Sequence, residues 1–71
     1  MYSNYICFLN YNISNINKDH NRYLIQHTDT KKYVSRCNGD IFVFDSYSDA
    51  NEVMRYYKLS NICSIIKIKE N

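Results

Sequence analysis

Residues 33–57 read YVSRCNGDIFVFDSYSDANEVMRYY, and the hydrophobic period changes within them. Up to Phe44 the pattern is that of half-buried strands, with successive side chains on opposite faces. Asn38-Gly39 interrupts this part. Asn-Gly favours a two-residue type I′ turn, whose central positions both need positive φ, so Tyr33–Cys37 and Asp40–Phe44 are expected to pair as a tight hairpin. After Phe44 the period becomes 3.6. Ser46 followed three residues later by Asp49 fits a capping box in acidic form, and Asp45, Asp49 and Glu52 put negative charge where a helix dipole favours it. Ala50, Val53, Met54 and Tyr57 then fall at i, i+3, i+4 and i+7, with Tyr47 one turn earlier on the same side. Ser48, Asn51, Glu52, Arg55 and Lys58 fall elsewhere. The spacing predicts an amphipathic helix whose apolar stripe is core, not a cofactor box.

Upstream of this stretch, Tyr23–His27 has strand character, and the polar segment Thr28–Lys32 connects it to Tyr33–Cys37, which predicts another hairpin. Residues 10–21, NYNISNINKDHN, are crowded with Asn, Ser and Asp, whose side chains compete for backbone hydrogen bonds and favour a long loop. Residues 2–9, YSNYICFL, read as a first strand. Downstream, Leu59-Ser60-Asn61 leads into Ile62–Lys69, where Ile62, Ile66 and Ile68 share one face and Lys67 and Lys69 the other. The expected order is β-β-β-β-α-β over a single domain, residues 1–71. This is an α+β fold, a small antiparallel sheet with one amphipathic helix packed on one face. The second sheet face has no helix to cover it, so the 10–21 loop, a second copy or a partner must shield it.

A chain of 71 residues buries roughly 60% of the surface its unfolded form exposes, which leaves little room for strained catalytic architecture. Its 45% hydrophobic content is globular, yet the longest apolar runs, such as Tyr5–Leu9 and Ile41–Phe44, fall far short of a membrane span. The N-terminus lacks the basic region and cleavage site of a secretory signal, so a cytoplasmic location is expected. Cys7, Cys37 and Cys63 are widely spaced within apolar or strand-like segments and read as buried thiols in a reducing compartment. No C-x-x-C or H-x-x-x-H pair accompanies them, and His20 and His27 are scattered singletons. Neither a metal site nor a cofactor nor a catalytic set is expected, and the chain reads as a non-enzyme.

Asn (10), Ile (9), Tyr (8) and Lys (6) make up 33 of the 71 residues, while Gly and Ala occur once each and Pro is absent. The abundant types have AT-rich codons, so the eight tyrosines partly reflect genome composition. A formal charge of +2 is small for a polyanion binder and of the wrong sign for an acidic DNA mimic. Lys31, Lys32, Tyr33 and Arg36 still raise the alternative of a small nucleic-acid-binding module, in which a basic hairpin tip grips phosphate and an aromatic ring stacks on a base. A charged hairpin tip is more commonly just solvated.

The run from Tyr23 to Ile68 has a T-x-K-Y-V hairpin at Thr30–Val34, an S-x-x-x-A helix start at Ser46–Ala50 and a final I-x-K-I strand at Ile65–Ile68. In these core positions it resembles small phage and mobile-element proteins of low-GC bacteria, anti-CRISPR inhibitors among them. The resemblance covers about two-thirds of the chain and carries no functional motif. It implies a stoichiometric, protein-binding inhibitor that blocks a surface of a larger host or defence protein, a CRISPR effector being one such target. Tyr2, Tyr5, Tyr11, Tyr33 and Tyr56 are then the candidate aromatic anchors, with Lys31, Lys32 and Arg36 as the charged rim. The bland reading of the same tyrosines is that they fill the edges of a small core. A homodimer through the uncovered sheet face or an edge strand is a further expected association.

Overall fold

The structure is a computed structural model that describes residues 6–13 and 22–68. Its elements are β1 (Ile6–Leu9), β2 (Arg22–His27), β3 (Tyr33–Arg36), α1 (Tyr47–Tyr56) and β4 (Cys63–Ile68). The four strands form one antiparallel sheet in the order β1-β3-β2-β4, and a single helix accompanies them among the described residues. The fold is α+β. Residues 2–5 of the expected first strand, most of the expected 10–21 loop and Lys69 lie outside the described residues.

β2 is the spine of the sheet, and its pairing explains the rest. It aligns with β4 over its full length, from Arg22↔Ile68 to His27↔Cys63. Strand alternation then sends neighbouring side chains to opposite faces. Leu24 and Ile25 are adjacent in sequence and both fully buried, one in each face's apolar cluster. On the helix side, Ile25 packs with Ile6, Val34, Ala50, Met54, Leu59 and Cys63. On the other side, Leu24 packs with Tyr33 and Ile68, and Tyr11, Ile41 and Ile66 lie against them. Tyr11 thus supplies part of the shield that this face was expected to need.

β2 and β3 share one register pair, Gln26↔Tyr33, and then diverge. Residues 41–44 occupy the gap. Ile41 bridges to Ser35, and the Phe42 N–H donates to the Val34 carbonyl at 3.1 Å. Tyr23 and Phe44 then exchange both backbone hydrogen bonds at 2.9 Å. The expected strand Asp40–Phe44 is therefore two isolated bridges, because the segment leaves β3 and reaches β2 without following either.

The Asn38-Gly39 turn also differs from expectation. Gly39 has φ 98°, but Asn38 does not have positive φ, so the turn is not type I′. The Gly39 N–H donates to the Arg36 carbonyl at 2.9 Å and the Arg36 N–H to the Asp40 carbonyl at 2.8 Å. These bonds enclose a three-residue loop, Cys37–Gly39, in which only the last position needs the left-handed region. The Asn38 side chain accepts from the Asp40 N–H at 3.0 Å, which holds it as an ordinary turn residue.

α1 begins as expected. Ser46 is the N-cap, and its hydroxyl accepts from the Asp49 N–H at 3.1 Å. Ala50 and Met54 are buried, and Val53 and Tyr57 pack against the same cluster. Tyr47 departs from the stripe: it is 58% exposed and meets Tyr23 edge-on, with ring centroids 6.2 Å apart. At the other end Lys58 takes φ 57°, its N–H donates to the Arg55 carbonyl, and the Leu59 N–H donates to the Met54 carbonyl at 2.8 Å. This is a Schellman motif with lysine where glycine is usual. Its apolar contact joins Leu59, fully buried, to Met54. Truncating a side chain as buried as Leu59 to alanine removes ~2–5 kcal/mol.

Gly39 and Lys58, two of the three left-handed positions among the described residues, generate opposite expectations. No atom lies within 4 Å of a Cβ built on Gly39, so Gly39→Val should destabilise through backbone strain alone, by ~1–2 kcal/mol. Lys58→Gly should stabilise, by ~0.5–1 kcal/mol, because it relieves the same strain. Chemical denaturation of both variants checks this; midpoints moving the other way would refute the assigned backbone conformations.

Candidate functional site

The diagonal path of residues 41–44 sets two aromatic rings beside the helix. Phe42 and Phe44 have the same parity, face the α1 side and stack with centroids 5.8 Å apart and planes within 2°. The Arg36 guanidinium sits 4.5 Å from the Phe42 centroid, close enough for a cation–π interaction. Val43, of opposite parity, is 42% exposed.

α1 forms the facing wall. Asp49, Glu52, Val53 and Tyr56 fall at i, i+3, i+4 and i+7, a second stripe rotated from the buried one. Together with Tyr57, Phe42 and Phe44 they line an open groove of ≈ 530 Å³. Tyr56 is 78% exposed, with its ring edge-on to Tyr57 at a centroid distance of 4.9 Å. A neighbouring depression lies against Glu52, Arg55 and Tyr56. The groove therefore has an aromatic floor, a projecting phenol and two carboxylates on one wall. It is suited to hold an apolar or aromatic group that carries positive charge.

The residues singled out from sequence are dispersed. Tyr2 and Tyr5 lie outside the described residues. Tyr11 packs onto the second sheet face. Tyr33, expected at a hairpin tip, is 9% exposed; its hydroxyl accepts a long bond from the Gln26 side chain at 3.4 Å. Lys31 is exposed with φ 63° in the β2–β3 loop, while Lys32 is half-buried. Arg36 stands at the far end of β3, about 13 Å from Lys32 at ~3.3 Å per residue, and its guanidinium lies over Phe42 on the α1 side. The strand's length separates the cations and its alternation separates Arg36 from Tyr33, so the four do not form one patch. Of the expected aromatic anchors among the described residues, Tyr56 alone joins the groove. Phe42, Phe44, Asp49, Glu52 and Val53 were not anticipated there, although the i, i+3, i+4, i+7 spacing of Asp49, Glu52, Val53 and Tyr56 is visible in the sequence.

The cysteines differ in environment. Cys63 is buried, and burial pushes its thiol pKa up. Cys7 is half-buried and Cys37 is exposed, which corrects the expectation that all three are buried: Cys37 opens the three-residue loop beyond β3. His27 serves the β2–β3 loop, its Nδ1 accepting from the Asp29 and Thr30 N–H groups at 3.3 Å. Among the described residues no three His, Cys, Asp or Glu side chains gather as metal ligands, and no helix is long and apolar enough to cross a membrane. No protein family, curated protein or solved structure matches this chain.

Exposure separates anchors from core. Tyr56→Ala should change stability by less than ~0.5 kcal/mol, whereas Tyr33→Ala should cost ~2–4 kcal/mol. Thermal unfolding of the two variants decides the point, and equal losses would contradict the described burial.

Proposed function

We propose that this chain is a protein-binding module that acts by stoichiometrically occupying a partner's surface, with the α1 groove as its recognition face. Tyr56 carries the reading: a large ring exposed beside Asp49 and Glu52, above the stacked Phe42 and Phe44. Tyrosine is enriched among binding hot spots because it offers much contact area at little entropic cost. A partner's Arg or Lys would lay its stem on the rings and direct its charge to the carboxylates. The proposed partner is a larger host or defence protein with a basic surface, a CRISPR effector being the target class that the sequence resemblance implies. Acting as a blocking inhibitor requires no chemistry of the chain itself.

The test is capture of partner from nuclease-treated host lysate by the immobilised chain. Tyr56→Ala combined with Glu52→Lys should weaken capture by ~30-fold or more, the equivalent of a hot spot of about 2 kcal/mol. Lys31→Glu with Lys32→Glu should change it by only a few-fold. Capture that survives the groove variant overturns the assignment of the recognition face. Capture that requires intact nucleic acid and fails with the lysine variant would favour nucleic-acid binding instead.

A further inference from the structure

The α1 groove is chemically more selective than its apolar floor. Its lining holds two carboxylates, Asp49 and Glu52, and no cation; Arg55 borders the neighbouring depression instead. Neither carboxylate has an ion-pair partner among the described residues. Three residues apart on one helix, their Cβ atoms stand about 5–6 Å from each other, so one forked group can reach both. The floor is a pair of rings with planes within 2°, and the chain already sets a guanidinium on one of them. Arg36, from outside the groove, lies 4.5 Å from the Phe42 centroid. An ammonium–ring contact elsewhere in the chain is looser, with Lys67 Nζ 5.9 Å from the Tyr23 centroid.

We propose that the groove is an arginine-reading site, which takes one exposed arginine side chain of the partner protein and discriminates against lysine. This rests on the groove being the recognition face and adds which side chain that face recognises. The partner's guanidinium lies against the ring pair beside Tyr56, and its N–H groups donate to the Asp49 and Glu52 carboxylates. That contact uses both properties of a guanidinium, its planarity and its five donors in a fixed fork. An ammonium is a compact, strongly hydrated point charge with neither property, so it gains less from the same walls. The methylene stem passes over Val53, and the Tyr56 ring, 78% exposed in the free chain, covers it. Excluding water in this way strengthens the charged contacts that it shields.

Titration of the full chain with Nα-acetylarginine methylamide, followed through its aromatic and backbone NMR signals, is the test. Signals of Phe42, Phe44 and Tyr56 should shift saturably, with a Kd on the order of millimolar. Nα-acetyllysine methylamide should bind at least ~5-fold more weakly. Asp49→Asn combined with Glu52→Gln should abolish the arginine shifts at unchanged circular dichroism, and Tyr56→Ala, which alters no charge, should weaken them. Equal binding of the two amides would overturn the discrimination for arginine while leaving the groove as the recognition face. The absence of saturable shifts, shifts confined to residues outside the groove, or shifts that survive the doubly neutral variant would overturn the arginine site itself. The recognition face fails separately, if the chain carrying Tyr56→Ala and Glu52→Lys still captures its partner.

Discussion

The reciprocal backbone hydrogen bonds between Tyr23 and Phe44 are the contact on which this architecture turns. β2 and β3 meet at Gln26↔Tyr33 and then part, which leaves backbone groups on both strands facing a gap. Buried backbone donors and acceptors must be satisfied, and residues 41–44 satisfy them, taking Val34 on one side and Tyr23 on the other. A chain that crosses from one strand to the next runs obliquely. That path turns Phe42 and Phe44 toward the helix side and delivers Asp45 and Ser46 to where α1 must begin. The Arg22–Asp45 ion pair at 3.4 Å lies at the same corner, although Asp45 is largely exposed and such a pair contributes little.

α1 then works through two stripes. Ala50 and Met54 enter the core, and the neighbouring stripe of Asp49, Glu52 and Tyr56 stays at the surface, with Val53 and Tyr57 between the two roles. The Schellman motif at Lys58 and Leu59 stops the helix and turns the chain back into the sheet as β4. The strain of a lysine at φ 57° is outweighed by burial of Leu59, since a left-handed residue costs ~1–2 kcal/mol and a fully buried leucine stabilises by more. The groove is a consequence of these two constraints. One fixes the rings of residues 42 and 44, and the other fixes the helix that faces them.

Much of this was legible in the sequence because it depends on local periodicity. The Ser46 cap, the Ala50–Met54 stripe, the strand Tyr23–His27 and the last strand follow from spacings of a few residues, although Ile62, expected to share a face with Ile66 and Ile68, precedes β4 and packs on the helix side instead. What was not legible depends on non-local pairing. Asn38-Gly39 favours a two-residue turn in isolation, but the Arg36–Asp40 register admits three loop residues and leaves Asn38 outside the left-handed region. Asp40–Phe44 has strand composition, yet whether it pairs along one neighbour or crosses between two is decided by how far β2 and β3 diverge. Tyr33 reads as a hairpin-tip aromatic until its register against Gln26 and Leu9 turns it onto the second sheet face. The groove escaped for a related reason: Asp49 and Glu52 suit the helix dipole, and nothing local reveals that Phe42 and Phe44 lie opposite them.

The central claim is that residues 41–44 are locked obliquely between β3 and β2, with alternate amides bonded. Residue-resolved amide hydrogen exchange tests it most directly. The bonds predict slow exchange at Phe42 and Phe44, whose N–H groups donate to Val34 and Tyr23, with fast exchange at Ile41 and Val43. Uniformly fast exchange across the four residues would show that the segment is not held between the strands, and the groove built on it would have no fixed floor.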